Sequence, residues 1–165
     1  MTRAVCSGSF DPVTLGHIDI FTRGAAIFDE LIVCVFYNVR KKSFFTVDER
    51  VELLQEATKH LKNVKIDAFS GLVSDYMNKV EATAILRGIR NTEDLSYEER
   101  EARMIGYLDQ KIDTLFLLTN PVYSYVSSSA VRELAAFGKL SHGIVPENVE
   151  EAIKRKLSQT KEKRD

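Results

Sequence analysis

The stretch that decides the fold of this chain is Cys6-Ser7-Gly8-Ser9-Phe10-Asp11-Pro12-Val13-Thr14-Leu15-Gly16-His17. It continues the apolar run Ala4–Cys6, turns at a glycine, and leads into a helical pattern with one apolar face. A strand, a loop of small residues and a helix N-terminus together favour phosphate binding, because the free N–H groups of the first helical turn point at the ligand. The Ser9 hydroxyl and the His17 imidazole lie in the same segment, which indicates phosphate chemistry rather than mere phosphate binding.

Two commoner phosphate-binding motifs are absent from the sequence. It contains no G-x-x-x-x-G-K-[ST], which argues against a P-loop enzyme, and no G-x-G-x-x-G after the first strand, which argues against a dinucleotide-binding fold. The remaining signal is the box Thr14-Leu15-Gly16-His17 at the start of the first helix. Four residues are a weak motif alone, and their position after the first strand strengthens them.

Composition and charge narrow the class of protein. The chain has 165 residues, 44% of them hydrophobic, as expected of one globular domain with a sizeable core. A net charge of −1 gives no reason to expect a nucleic acid or a membrane surface as partner. No apolar run approaches the ~20 residues of a membrane span, and the first residues are unlike a signal peptide, so we expect a cytoplasmic protein. Cys6 and Cys34 lie in apolar runs and are expected to be buried, reduced thiols.

Strand and helix patterns alternate along the sequence. The strand-like apolar runs are Ala4–Cys6, Leu31–Tyr37, Val64–Ala68, Thr83–Leu86 and Thr114–Leu118. The helical patterns are Gly16–Phe28, Thr46–His60, Val73–Val80, Thr92–Leu108, Ser127–Phe137 and Pro146–Leu157. This order predicts a single α/β domain over residues 1–158, with a doubly wound five-stranded parallel sheet, followed by a charged tail over residues 159–165 that frays.

The loops that follow the strands carry many groups that can bind phosphate. In a doubly wound sheet these loops meet at one edge, and such folds bind their ligands there. The side chains concerned are Ser9, His17, Arg40, Lys41, Lys42, Arg87, Arg90, Tyr123–Ser129 and Arg132. They suit phosphoryl or nucleotidyl transfer, which depends on positioning and on cations where charge accumulates.

Each of these groups also has a purely structural explanation. The alternatives are a helix cap or a core position for His17, a solvated loop for Arg40–Lys42, ion pairs with Glu93 and Asp94 for Arg87 and Arg90, a helix cap for Ser127–Ser129, and a structural or exposed position for His60 and His142. The functional hypothesis depends on the coincidence of these groups at one sheet edge. If none of them had a function, several independent loops would each have gained phosphate-binding side chains for structural reasons alone.

Together the motifs resemble those of bacterial phosphopantetheine adenylyltransferases, which belong to the nucleotidyltransferase superfamily with a T/H-x-G-H box. The resemblance extends from about Ala4 to Leu157. The matching pieces are Gly8–Pro12, Thr14–Ile20, Asn38–Lys42, Phe45-Thr46, Arg87–Arg90, Tyr97-Glu98, Tyr125–Ser129 and Val145–Val149. The resemblance implies a Rossmann-like nucleotidyltransferase fold. It also implies transfer of the adenylyl group of ATP to 4'-phosphopantetheine, giving dephospho-coenzyme A and pyrophosphate by in-line displacement without a covalent intermediate.

The resemblance further implies roles for individual residues. His17 would donate to the α-phosphate, Lys41 would hold the attacking phosphate beside it, and Ser9 would orient that phosphate. Arg87 and Val73 would complete the phosphopantetheine site. The ATP site would comprise Ser9, Phe10, His17, Gly88, Ile89, Arg90, Glu98, Tyr123, Ser124, Tyr125, Val126, Ser127, Ser128 and Ser129.

The resemblance also implies the use of Mg²⁺, a homohexamer, and feedback by coenzyme A. No residue cluster in the sequence has metal-ligand spacing, so we expect phosphates and water to hold the magnesium for the most part, and we name no protein ligand. The sequence departs from the family at Ser7, where a proline is usual, and at Ile105, where an asparagine is common near the pantetheine arm. Two other hypotheses stay open. One is a nucleotidyltransferase for nicotinate mononucleotide or for a glycerol or sugar phosphate, including a cytidylyltransferase. The other is a nucleotide sensor of the same fold that releases no pyrophosphate.

Overall fold

The computed structural model describes residues 1–162 of the chain. Within them, the five strands are β1 (Arg3–Gly8), β2 (Glu30–Phe36), β3 (Val64–Phe69), β4 (Ala84–Ile89) and β5 (Asp113–Leu118). The helices are α1 (Leu15–Ile27), α2 (Val47–Thr58), α3 (Val73–Lys79), α4 (Thr92–Leu108), α5 (Ser128–Ala136) and α6 (Glu147–Glu162), with a 3₁₀ turn at Pro121–Tyr123. The predicted alternation of strands and helices is confirmed.

The five strands form one parallel sheet in the order β3-β2-β1-β4-β5. The strand order therefore reverses between β1 and β4, as predicted for a doubly wound fold. The ladder between these two strands pairs Ala4 with Ala84 and Val5 with Ile85 and then ends, whereas β1 and β2 stay paired from Arg3 to Gly8. Beyond Val5 and Ile85 the two central strands are unpaired with each other, and this leaves a crevice at the carboxyl edge of the sheet.

Both faces of the sheet are covered by apolar side chains. Cys6 faces a large cluster that includes Phe21 of α1, while Val5 faces a second cluster that includes Tyr76 of α3 and Ile105 of α4. Because neighbouring residues of a strand point to opposite faces, burial on both faces requires an uninterrupted apolar strand. That explains why short continuous apolar runs predicted the central strands β1 and β2. Both cysteines are buried and free of disulfides, which confirms the prediction for them.

Close packing at Gly24 brings α1 against β4. A Cβ built on Gly24 would lie 2.4 Å from Leu86 Cδ2, so a larger residue would force the Leu86 side chain or the helix to shift. At the start of α2, the predicted capping box is present: Thr46 Oγ1 accepts the Glu49 N–H at 3.2 Å, and Glu49 Oε2 accepts the Thr46 N–H at 2.7 Å. Gly24 therefore sets how closely α1 packs on the sheet, and the capping box fixes the start of α2.

The boundaries of several elements differ from the prediction. Residues 87–89, predicted as a loop, continue β4 because they pair with residues 116–118 of β5. Helix α1 begins at Leu15 after a Thr14 cap, and the 3₁₀ turn was not predicted. Helix α6 runs to Glu162, beyond the predicted end at Leu157, so 159–162 are helical. The predicted fraying of the tail over 159–165 stays a prediction, and 163–165 lie outside the described residues. No helix among residues 1–162 has the length and apolarity needed to cross a bilayer.

Candidate active site

A cavity of about 310 Å³ occupies the crevice between β1 and β4. The loop after β1, the start of α1, the ends of β4 and β5, and the start of α5 all contribute to its walls. The lining residues are Cys6, Ser7, Gly8, Ser9, Phe10, Thr14, Gly16, His17, Ile20, Phe21, Arg87, Gly88, Arg90, Asp94, Glu98, Thr119, Tyr123, Val126, Ser127 and Ser128. The cavity therefore lies at the sheet edge that the topology predicted, with polar groups from the segments that follow three strands, β1, β4 and β5, facing one space.

The loop after β1 is anchored on both sides. Asp11 is buried and its carboxylate accepts the backbone N–H groups of Phe44 at 2.7 Å and of Phe45 at 2.8 Å, which ties this loop to the segment before α2. The ring of Phe10 is buried and meets the His17 ring edge-on, with ring centroids 5.1 Å apart. Ser9 is exposed beside these anchored residues. The loop thus presents its serine from a fixed backbone.

His17 is held as a neutral hydrogen-bond donor. Its Nδ1 accepts the Thr14 N–H at 3.0 Å, and because a backbone N–H can only donate, the proton of the neutral ring lies on Nε2. Burial, assisted by the nearby positive charge of Arg90, lowers the pKa of His17 to about 4. At neutral pH the ring therefore offers an Nε2–H donor without carrying charge. The predicted helix-cap position is confirmed, because Thr14 and His17 form a capping box.

The low pKa of His17 makes acid destabilise the folded protein. Between about pH 6.5 and 4 the unfolded chain protonates this ring while the folded chain does not, so its contribution to stability is complete above 6.5 and is lost as the pH falls through 4. We expect wild type to lose roughly 1–3 kcal/mol more of its free energy of unfolding over this window than His17→Gln does. Urea denaturation at several pH values measures the difference, and parallel pH profiles would contradict the shift.

Arg90 lines the cavity, and the carboxylate of Asp94 holds its guanidinium in place. Its Nε and Nη2 donate to the two carboxylate oxygens of Asp94 at 2.8 and 2.9 Å, and its Nη1 donates to the Val126 carbonyl at 3.0 Å. Hydrogen bonding from Arg90 holds the pKa of Asp94 below its usual range. The predicted alternative of an Arg90–Asp94 ion pair is thus correct. It does not exclude a functional role, because both residues line the cavity.

Arg87 crosses the open end of the β1–β4 crevice. Its guanidinium donates to the Ser7 carbonyl and lies 3.2 Å from a carboxylate oxygen of Glu98 on α4. Burial raises the pKa of Glu98, and Arg87 opposes that shift. The ion-pair partner of Arg87 is therefore Glu98, and neither Glu93 nor Asp94 fills that position. Burial also raises the pKa of the Cys6 thiol at the cavity floor to about 12, so this thiol stays protonated and is a poor nucleophile.

The start of α5 is fastened to the first loop. Ser127 caps the helix by accepting the Ala130 N–H at 3.1 Å, which confirms the predicted cap. The Ser128 hydroxyl donates to the Pro12 carbonyl at 2.7 Å, and Arg132 donates to the Asp11 carbonyl at 2.5 Å. The N-terminus of α5 consequently opens toward the same cavity as the N-terminus of α1, which gives the site two helix ends that favour anions.

Most of the predicted site residues meet at this cavity. Those that line it are Ser9, Phe10, His17, Arg87, Gly88, Arg90, Glu98, Tyr123, Val126, Ser127 and Ser128. Those that do not are Lys41, Val73, Ile89, Ser124, Tyr125 and Ser129. Lys41 is exposed on the loop before α2, and Ile89 is buried in the sheet. Val73 packs against the second apolar cluster at the start of α3.

Sequence reasoning assigned no role to Thr14, Asp94 or Thr119 at this site. Thr14 belonged to the quoted motif, and the threonine followed by histidine three residues later was a signal for the capping box. Asp94 was considered only as an ion-pair partner, and its spacing of four residues from Arg90 was the available signal. Thr119 follows β5 directly and had no distinguishing neighbours.

Asp94 is expected to position Arg90 for a phosphate. Asp94→Ala removes two of the hydrogen bonds that hold the Arg90 guanidinium. For the two substrates that the resemblance implies, we expect the KM for ATP to rise about tenfold and the KM for 4'-phosphopantetheine to stay unchanged. The matched control is Glu93→Ala, because Glu93 is exposed on the neighbouring position of α4. Steady-state kinetics of both variants provide the test. Equal KM values for wild type and Asp94→Ala would show that Arg90 needs no such support.

The site combines an uncharged imidazole donor, two arginines and two helix N-termini, and it lies where the strand order of the sheet reverses. This combination is typical of nucleotide-binding α/β enzymes. A family model described as cytidylyltransferase-like matches residues 5–134. The chain is 51% identical over 154 residues to the phosphopantetheine adenylyltransferase of Shouchella clausii (strain KSM-K16), covering 93% of this chain and 97% of that protein. The chain therefore belongs to the cytidylyltransferase-like family and, within it, to the phosphopantetheine adenylyltransferases, a group of nucleotidyltransferase enzymes.

A solved structure supports the fold alone. The crystal structure of the lipopolysaccharide core biosynthesis protein from Thermoplasma volcanium GSS1 aligns with a TM-score of 0.52 and 24% sequence identity, covering 73% of this chain and 97% of that chain. Similarity at this level says nothing about substrates. It agrees with the parallel sheet and its helices.

Proposed function

We propose that this enzyme transfers the adenylyl group of ATP to 4'-phosphopantetheine, giving dephospho-coenzyme A and pyrophosphate. The observation that carries the proposal is the neutral His17 donor beside Arg90, in a cavity that two helix N-termini and Arg87 also face. The relative that is 51% identical bears the name of this activity. The same reaction would place the chain in coenzyme A biosynthesis.

The proposed chemistry is a single in-line displacement. A phosphate oxygen of 4'-phosphopantetheine attacks the α-phosphorus of ATP, and the bond from that phosphorus to the α,β-bridging oxygen breaks as pyrophosphate leaves. The attacking oxygen is already anionic at neutral pH, so no general base is required. Catalysis then depends on positioning the two phosphates and on stabilising the charge that accumulates between them.

In the proposal, the residues of the cavity bind different phosphate groups. The Nε2–H of His17 donates to an α-phosphate oxygen as negative charge builds there, and Arg90 binds the β- and γ-phosphates that depart. Ser9 orients the attacking phosphate and Arg87 binds the acceptor. The buried, protonated Cys6 thiol agrees with a mechanism that forms no covalent intermediate.

In the proposal, Lys41 reaches in from the loop outside the cavity and contacts both the attacking phosphate and the α-phosphate of ATP. Lys41 is exposed on the loop before α2, and Asp11 ties that loop to the first loop by accepting the N–H groups of residues 44 and 45. A lysine on a flexible stem can act as a mobile point charge. We propose that substrate binding draws Lys41 toward the attacking phosphate, where it screens the repulsion between the two anions.

The nucleotide base would lie near the start of α5. Tyr123, Val126 and Ser127 line this side of the cavity, and Ser124, Tyr125 and Ser129 lie next to them in sequence. Backbone groups at a helix N-terminus can recognise the edge of a base or an anion. The adenine subsite is therefore proposed at residues 123–129, and Gly88 and Glu98 line the same cavity. Ile89 is buried in the sheet and Val73 lies at the start of α3, so in the proposal these two residues support the site without lining it.

Magnesium would enter the site with the nucleotide. Among residues 1–162 no group of three or more His, Cys, Asp or Glu side chains could hold a metal ion. The carboxylates of Asp94 and Glu98 in the cavity are paired with arginines. Since Mg²⁺ keeps several waters and readily binds phosphate oxygens, the residues present fit an ion held by ATP and water. Bound in this way, it would neutralise phosphate charge.

We propose a homohexamer, feedback inhibition by coenzyme A and a cytoplasmic location for this chain. Exposed Tyr97, Met104 and Tyr107 on α4 offer apolar surface that an assembly could bury.

A nucleotide panel tests the proposed reaction. Pyrophosphate release is measured with Mg²⁺ and 4'-phosphopantetheine in the presence of ATP, CTP or GTP, and the product is identified by mass spectrometry. We expect release with ATP and a product with the mass of dephospho-coenzyme A. A preference for CTP would support a cytidylyltransferase, and ATP binding without any pyrophosphate release would support a nucleotide sensor.

A further inference from the structure

Ser7 carries a buried hydroxyl that has no hydrogen-bond partner among residues 1–162. The residue is 5% exposed, at the carboxyl end of β1, and its Oγ is unpaired within the described part of the chain. A buried hydroxyl without a partner destabilises the folded state, and native proteins satisfy nearly all such groups. The exception here lies beside the site, because Ser7 lines the cavity.

The surroundings of Ser7 place it on the side of the acceptor. Side chains alternate along β1, so Ser7 shares the sheet face of Val5, whose cluster includes Ile105 of α4. The Ser7 carbonyl accepts a hydrogen bond from Arg87, which in turn pairs with Glu98. Ser7 is therefore fixed next to the cation that the proposed function assigns to 4'-phosphopantetheine.

We propose that Ser7 is a specificity residue for the acceptor, whose hydroxyl turns into the cavity on binding and donates a hydrogen bond to the acceptor's phosphate. A serine side chain has one heavy-atom torsion, so a single rotamer change redirects its oxygen. The phosphate supplies the missing acceptor, and the hydroxyl adds a donor next to Arg87. The inference rests on the proposed function, since it takes the acceptor to be a phosphate monoester bound near Arg87.

The test compares Ser7→Ala with wild type in two measurements. In steady-state kinetics, the KM for 4'-phosphopantetheine should rise about 5- to 20-fold and the KM for ATP should change less than about twofold. In thermal unfolding, the unliganded variant should melt at or above the wild-type Tm, because an unpaired hydroxyl has been removed. The rise in Tm on adding 4'-phosphopantetheine alone should be smaller in the variant than in wild type.

Two further variants separate this role from a general effect on packing. Ser7→Cys keeps the side-chain shape with a weak donor and should give an intermediate KM for 4'-phosphopantetheine. Ser96→Ala removes an exposed serine of α4 and should match wild type. The role of Ser7 is overturned if Ser7→Ala leaves the KM for 4'-phosphopantetheine unchanged, or raises the KM values for both substrates equally. The proposed function still holds in that case, provided that the wild-type enzyme turns over 4'-phosphopantetheine. A wild-type protein that neither binds nor adenylylates 4'-phosphopantetheine overturns both.

Discussion

Replacing His17 with alanine should reduce kcat by about 10²–10³, a loss of roughly 3–4 kcal/mol of transition-state stabilisation. The dissociation constant for ATP should change by less than about threefold. The two effects differ because the negative charge on the α-phosphate increases only as the transition state forms. The α-phosphate becomes more negative as the fifth bond forms, so a donor aimed at it gains most in the transition state and little in the ground state.

The geometry of His17 supports this division. Nδ1 is occupied by the Thr14 N–H, and the low pKa keeps the ring neutral, so Nε2–H is a preset donor across the physiological pH range. Single-turnover kinetics and ATP titration calorimetry measure the two quantities separately. His60→Ala is the matched control, because His60 is exposed and remote in sequence from the site loops. Equal losses in turnover and in ATP affinity would contradict a role confined to the transition state.

Replacing Lys41 with alanine should lower kcat/KM for 4'-phosphopantetheine by about 10²–10³. The attacking and accepting phosphates are both anionic, and the proposal gives Lys41 the task of holding them together. Lys41→Arg should recover part of the loss, because arginine keeps the charge and changes its geometry.

Lys42 provides an unusually close control for this prediction. Both lysines are exposed on the loop before α2, and they differ by one position in the chain. Lys42→Ala should therefore retain activity within about threefold of wild type if only one ammonium reaches the phosphates. Equal effects of the two substitutions would mean that the loop contributes a diffuse positive potential, and wild-type activity in Lys41→Ala would remove Lys41 from the mechanism.

The architecture could be predicted from the sequence because burial on both sheet faces leaves a direct signal. Continuous apolar runs such as Leu31–Tyr37 identify strands regardless of what surrounds them. The ends of strands are less visible. Residues 87–89 pair with β5 and are strand, but Arg87 and Gly88 have polar or small side chains that resemble a loop. Their strand geometry comes from a neighbour that is distant in sequence.

The site was predicted in part for a similar reason. A motif that is local in sequence, such as Ser9 to His17, could be recognised directly, and topology placed Arg87 and Arg90 at the same edge. What topology could not supply is the partner of each charge. Glu98 pairs with Arg87 from one turn of α4 and Asp94 pairs with Arg90 from another, and only the packing of α4 against the sheet decides this.

Lys41 illustrates the other limit of sequence reasoning. The family resemblance assigns it to the attacking phosphate, whereas in the structure it is exposed and does not line the cavity. A long side chain on a solvated loop takes its functional position from the ligand, so neither sequence pattern nor fold determines it. Ser7 shows the converse, since its burial without a partner became apparent only in the structure.

A panel of acceptors tests the identity of the second substrate most directly. Pyrophosphate release from ATP and Mg²⁺ is measured with 4'-phosphopantetheine, nicotinate mononucleotide and glycerol 3-phosphate in parallel. We expect release with 4'-phosphopantetheine alone. Release only with one of the other two acceptors would leave the fold and the His17 site in place and would contradict the proposed substrate.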